Sequence, residues 1–354
     1  MSRGPAPLLG RSFVHPAFDY LLIGGGLSLG VALLASLHPA ERGPLVPERF
    51  GAWMLLAANS AHFAASTVRL YTKPGAVQAL PFLSTVFPVL SLAVLTLCIA
   101  FAETIGAQLR ALYLTWSPYH YAAQAYGLGV AYSYRSGCLL GRRDKALLRW
   151  ACLLPFFYAF FSYADWGVGV EWLVPESVLR LPAFDAGRQA LLRFLAAAVF
   201  VAPAALFLGV RRQPTTPLPL IVPLLLLANG VWWVVLVYLQ AFYLAAIFHA
   251  IQYLAIVMIF HVKDQTARPG NRQGPLSHAV WFYGVSLALG YGLFHCLPAG
   301  FVAAGFGWVE SSILVAAAIN VHHFVVDAYI WHFRPGEGNR RIVDVPEAAG
   351  PVPA

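Results

Sequence analysis

Apolar residues run along this chain in long blocks, separated by short intervals that carry charge, glycine or proline. A bilayer core is about 30 Å thick and takes roughly 20 apolar residues per helix. On that rule the pattern predicts ten helical spans, near 18–37, 49–71, 80–103, 106–133, 145–165, 190–211, 216–237, 240–262, 277–304 and 308–332. The stretch 216–262 is apolar throughout and reads either as two helices with a tight turn near Gln240 or as one long helix. Residues 18–37 are too long for a signal-peptide core and lack a small-residue cleavage site, so they are expected to be a retained helix. Residues 162–187 mix Trp166, Trp172 and leucines with acids and glycines. They read as an interfacial amphipathic helix, a lid over an opening from the membrane, or equally as a connector anchored by tryptophans. After Arg334 the chain is rich in proline, glycine and charge, so 335–354 is expected to be a poorly ordered tail on a single membrane domain, 1–334.

Composition agrees with the pattern. The chain is 59% hydrophobic and 11% charged, where a water-soluble domain has about half and a quarter. The expected fold is all-α, a polytopic transmembrane bundle. Ten spans also sort the basic residues: seventeen of the 23 Lys and Arg, Arg3 through Arg341, fall on one side, and Arg42, Arg49, Arg110, Arg180, Arg188 and Arg193 on the other. The positive-inside rule then places both termini in the cytoplasm. The net charge of +8 belongs to these loops, which speaks against nucleic acid as a partner. Cys98, Cys138, Cys152 and Cys296 have neither close pairing nor zinc-type spacing. Gly24–Gly26 and Gly127–Gly129 lie in apolar runs without a following Lys-Ser/Thr, so close helix packing explains them better than phosphate binding. There is no nucleophile elbow, no HExxH and no acidic pair suited to hydrolysis.

Chemistry enters through histidine. Three segments, NSAHFAAS (59–66), SPYHYAAQ (117–124) and NVHHFVVD (320–327), share a small polar residue, a histidine three positions on, an aromatic, and a polar residue four after the histidine. A fourth, AIFHAIQY (246–253), keeps the histidine and puts Gln252 and Tyr253 after it. Positions i−3, i and i+4 lie on one helical stripe. Asn59, His62 and Ser66 therefore share a face, as do Ser117, His120 and Gln124, and Asn320, His323 and Asp327. The register selects His323 over His322. These segments fall in spans two, four, eight and ten, which all run from outside to inside. Counted to the next basic residue, the histidines differ in depth by about 12 Å at roughly 1.5 Å per residue.

Ionisable groups inside spans usually face the bundle interior and mark function, although one histidine with a polar neighbour is more often a helix–helix hydrogen bond. Four helices of one direction with the same motif point to a metal held by His62, His120, His249 and His323, with Asn59, Ser66, Gln124, Gln252, Tyr253 and Asn320 supporting the rings. Asp327 could orient an imidazole, bind the metal or pass protons. His322, about 100° away around the helix, is a candidate ligand, substrate contact or proton carrier. His261 and His332 sit at cytoplasmic span ends, where an interfacial role is simplest. Imidazole without cysteine suits iron, copper or zinc, and a lipid-accessible bundle favours non-haem iron handling O2 and a greasy substrate.

With SAHFAAS around His62 and helix-borne His120, His249 and His323, the chain resembles the Brp/Blh family of membrane carotenoid-cleaving dioxygenases. The family's Pro-His-Gly segment followed by Asp, and its His-Phe-Gly segment followed by Ser-Asp, are not found in that form. The resemblance implies a polytopic helical protein, non-haem iron on intramembrane histidines, and a lipid, isoprenoid or carotenoid substrate. The expected location is integral and multi-pass, in a bacterial inner membrane. Two other readings remain open. One is a haem b electron carrier with quinone as partner; the adjacent His322 and His323 also resemble the copper-binding pair of haem–copper oxidases. The other is a proton-coupled transporter or channel with Asp327 and the histidines as relay.

Overall fold

The computed structural model describes residues 8–38, 46–162, 167–211, 217–331 and 338–344, and helix is the only regular secondary structure among them. The main helices are α1 (Gly26–Leu37), α2 (Ala61–Thr72), α3 (Phe82–Ala100), α4 (Ala107–Arg135), α5 (Arg142–Phe161), α6 (Pro182–Arg211), α7 (Ile221–Tyr238), α8 (Phe242–Thr266), α9 (Pro275–Ala303), α10 (Trp308–Ile330) and the short α11 (Gly338–Val343). Each of the ten apolar runs coincides with helix. Six of these helices, α3 and α6 to α10, are long and apolar enough to cross a membrane, and α1 with the preceding Pro16–Ile23 makes a seventh if that pair, bent by 52°, is one span. The helical stretch ending in α2, and helices α4 and α5, carry more charged and polar residues.

Local chemistry sets the breaks. The bend before α1 sits at Gly25, whose φ of 83° is open to glycine at little cost, and a Cβ there would lie 2.4 Å from that of Ala228. The glycine run thus serves a bend as well as close packing. Between α7 and α8 the chain turns at Leu239–Ala241 with Gln240 at φ 54°, so 216–262 holds two helices. π-helical turns at Asp19–Ile23, Leu55–Ser60, Phe82–Val86, Ala102–Gly106 and Gly292–Cys296 interrupt the 3.6-residue period. Of residues 162–187, the described part forms two four-residue helices, Val170–Leu173 and Glu176–Leu179, before α6 begins at Pro182. It is a broken connector, not one amphipathic helix. His332, and Trp166 in that connector, lie outside the described residues.

The chain divides into two compact units. The first comprises 1–45, 115–252 and 334–353, the second 46–114 and 253–333. The divisions fall inside α4, between Leu114 and Thr115, and inside α8, between Gln252 and Tyr253. The first coincides with a backbone irregularity: Pro118 has no N–H to donate to the carbonyl of Leu114.

In the first unit α5, α6 and α7 pack together, with α1 on α7. Trp232 Nε1 donates to Ser28 Oγ at 2.9 Å. The buried Asp19 carboxylate staples the N-terminal segment, accepting from Phe13 N (2.6 Å), Val14 N (3.2 Å) and Tyr132 Oη (2.7 Å). The expected loose tail has an ordered part: Asn339, Ile342 and Val343 of α11 are buried, and Arg135 donates to the Ile342 carbonyl at 3.3 Å.

In the second unit α2 packs on α9 and α10, and α10 on α3. Gly290 lets α9 approach α2 closely, because a Cβ there would stand 2.5 Å from the Ser60 carbonyl oxygen. Helices α2 and α10 run in the same direction: His62 and Ser66 meet His323, and further along Lys73 meets Ile330. The 253–266 part of α8 is also parallel to α2, with His62 against Tyr253 and Arg69 paired with Asp264. Both members of that ion pair are buried.

Burial grades the helices as a lipid solvent would. The apolar windows of α7, α8 and α10 are 56%, 67% and 56% buried, those of α3, α6 and α9 only 28%, 22% and 17%. Polar groups cluster on the former, while the latter point Val89, Phe194, Val201 and Val280 outward, more than half exposed. Apolar faces of that extent are stable against lipid, not water.

Candidate metal centre

In the second unit, the end of a π turn feeds directly into the helical turn that carries His62. Its ring lies 4.5 Å from that of His323 and 4.7 Å from that of Tyr253, edge-on to both. Both histidines are fully buried. Ser66 Oγ contacts His323 Nδ1 at 3.0 Å, and because its hydroxyl also reaches the Phe63 carbonyl at 3.1 Å, the serine can accept from an Nδ1–H. That arrangement leaves His323 Nε2 as the lone-pair nitrogen, and it faces Asp327 Oδ2 at 3.7 Å. The gap exceeds a hydrogen bond. It is within the span of two ligands that share one ion at about 2.1 Å each. Oδ1 of Asp327 is held by Tyr253 Oη at 2.5 Å and Trp331 Nε1 at 3.3 Å, which fixes the carboxylate.

In the first unit, α4 and α8 bring His120 and His249 together, with ring centroids 5.4 Å apart and ligand nitrogens within 4.8 Å. Tyr121 stacks on His249 at 3.6 Å and 9°, and Trp232 stands edge-on to it at 6.3 Å. One turn on, Gln124 Nε2 donates to Gln252 Oε1 (2.8 Å), and Gln252 Nε2 to the Ile23 carbonyl (2.6 Å). The contacts 120–249 and 124–252 make α4 and the 242–252 part of α8 parallel.

The supporting residues therefore divide differently from the sequence pattern. Ser66 serves His323 across the helix pair rather than His62 on its own helix. Gln124 and Gln252 bond each other, and Asn320 Nδ2 bonds the Ala316 carbonyl of its own helix at 2.8 Å. Asn59 sits in the π turn and is half-buried. His322, a candidate ligand, substrate contact or proton carrier, stacks on Phe87 (4.9 Å, 14°). His261 is buried: Thr72 Oγ1 lies 3.3 Å from its Nδ1, and Trp281 stacks on it. Tyr119 and Tyr329 are exposed. Trp331 was missed, although it lies four residues after Asp327, the same spacing that selected the others.

His120 with His249, and His323 with Asp327, have ligand atoms near enough to share in holding a metal ion. The donor set lacks thiolate and is poor in oxygen, which fits iron, copper or zinc better than magnesium or calcium. Among the described residues all four cysteines are free. No protein-family model, curated protein or solved structure matches this chain.

Proposed function

We propose that the chain is an integral membrane metalloprotein in which buried histidines, His62 and His323 with Asp327 in one unit and His120 with His249 in the other, serve as ligands to non-haem iron, and that it oxidises a lipophilic substrate with O2. The observation that carries this reading is the fully buried pair of His62 and His323 rings, with Asp327 Oδ2 3.7 Å from His323 Nε2 and the outer atoms of His323 and Asp327 already bonded to Ser66, Tyr253 and Trp331. Two histidines and one carboxylate leave coordination positions open, a donor set suited to iron(II) and O2. Bound iron would supply electrons to O2. The chain's own residues orient the donors and exclude water, since the rings are fully buried. The Brp/Blh resemblance adds an isoprenoid or carotenoid as the substrate class.

The reading includes ten membrane crossings with cytoplasmic termini. Supporting it, the touching pairs α2/α10, α2/α8 and α4/α8 all run parallel, as even-numbered members of an alternating path must.

The test is elemental analysis and an optical spectrum of the detergent-solubilised protein. Expected is stoichiometric iron without a Soret band, and loss of most of it in His62→Ala and His323→Ala; His120→Ala should also lower occupancy. A Soret band would turn the assignment to haem b. Full occupancy in both His62→Ala and His323→Ala would sink the centre.

A further inference from the structure

Apart from the histidine clusters, the first unit buries two polar side chains that have no hydrogen-bond partner among the described residues. Asn229 on α7 is 1% exposed, and neither Nδ2 nor Oδ1 is bonded. Trp233, one turn further on, buries Nε1 in the same condition. Its neighbour Trp232 shows the usual outcome, a bond to Ser28. A buried polar group left unpaired destabilises the fold, and α7 is otherwise an apolar helix in which leucine at 229 would avoid that cost. Four residues apart, the two groups lie on one stripe. Their two N–H donors can converge on a single acceptor oxygen.

The surroundings are flat and aromatic. Trp233 packs against Tyr121 at 5.3 Å and Phe242 at 4.8 Å, and Tyr121 is the ring stacked on His249. Phe242 is 36% exposed and opens α8 directly after the left-handed Gln240, so it covers Trp233 from the turn. Helix α7 carries no Lys or Arg. A neutral carbonyl suits two uncharged donors there, whereas a carboxylate or phosphate would bury a charge without a cation on that helix.

We propose that Asn229 and Trp233 anchor the carbonyl oxygen of a planar, conjugated lipophile, a ketone, aldehyde or quinone, which lies beside Tyr121 after displacing Phe242. The proposal rests on the proposed function only for the lipophilic character of the substrate. It names the polar handle by which that substrate is oriented.

The full chain in lipid nanodiscs is titrated with a benzoquinone bearing a decyl tail, and with decylbenzene, which keeps ring and tail but has no carbonyl. Saturable binding of the quinone is expected, with decylbenzene weaker by about ten-fold or more, the equivalent of ~1.4 kcal/mol. Asn229→Leu should weaken the quinone by a similar factor and leave decylbenzene unchanged. Trp233→Phe, which keeps a ring and loses the N–H, should weaken it several-fold and serves where the leucine variant fails to fold. Equal affinity for the two probes, no saturable quinone binding, or variants that gain thermal stability with quinone affinity unchanged would overturn the proposal. Metal content measured on the same samples separates the two ideas: a metal-free protein that still binds the quinone sinks the iron reading and leaves this one standing, and a metal-loaded protein that ignores it does the reverse.

Discussion

Asp327 shows how much a single side chain depends on its neighbours. One oxygen takes bonds from Tyr253 and Trp331, so the other is presented toward His323 in one orientation. Partners of this kind typically account for 10–100-fold in metal affinity. Tyr253→Phe is therefore expected to weaken metal retention by about 10–100-fold while the ring packing against His62 persists, as read by chelator competition. Retention equal to the unmodified protein would mean that the phenol only packs. The sequence made His323 and Asp327 legible because a helical stripe is a local property, four residues and one turn. It could not assign Ser66, Gln124 or Asn320 their partners. Which of several polar groups within reach receives a hydrogen bond is decided by how two helices dock, and the spacing along one chain does not contain that.

At the scale of elements, the apolar blocks were a sufficient guide to where helices lie, and glycine and proline to some of their breaks. The π turns were not legible, because one extra residue in a turn changes no composition. The turn at Leu55–Ser60 nevertheless bears on the site, since it leads directly into the helix that carries His62. Gly290 presses on this same turn. Gly290→Ala must push α9 away from the Ser60 carbonyl, an overpacking that costs about 1–3 kcal/mol. A lower melting temperature together with reduced metal content is expected. Gly284→Ala, on the same helix with nothing within 4 Å of the new methyl, should be neutral or stabilising by about 0.4–1 kcal/mol. Identical melting behaviour of the two variants would show that the close approach carries no energy.

For the molecule as a whole, the grading of burial places polar chemistry on α7, α8 and α10 and leaves α3, α6 and α9 as an apolar exterior. Hydropathy reads both sets alike, so that distinction was invisible in the sequence. The division into two units was equally hidden, since its boundaries fall within helices and not in linkers. The expected direction of travel rests on charge alone. Reporter domains fused before Met1 and after Ala354 are both expected to show cytoplasmic activity; opposite sides would require an odd number of crossings and end the ten-span reading.

The buried pair of Arg69 and Asp264 has a consequence for how the protein is made. Its partners are 195 residues apart in the chain. At a synthesis rate of about 5–20 residues per second, Arg69 reaches the membrane roughly 10–40 s before its counter-charge exists. During that interval the guanidinium is best accommodated where water or lipid headgroups can reach it, as a long side chain near a helix end allows. The packing of α2 against α8 is thus provisional until Asp264 has been made. His62 lies seven residues before Arg69 on the same helix, so the candidate centre is completed late in synthesis, once the carboxylate that pairs with Arg69 has arrived.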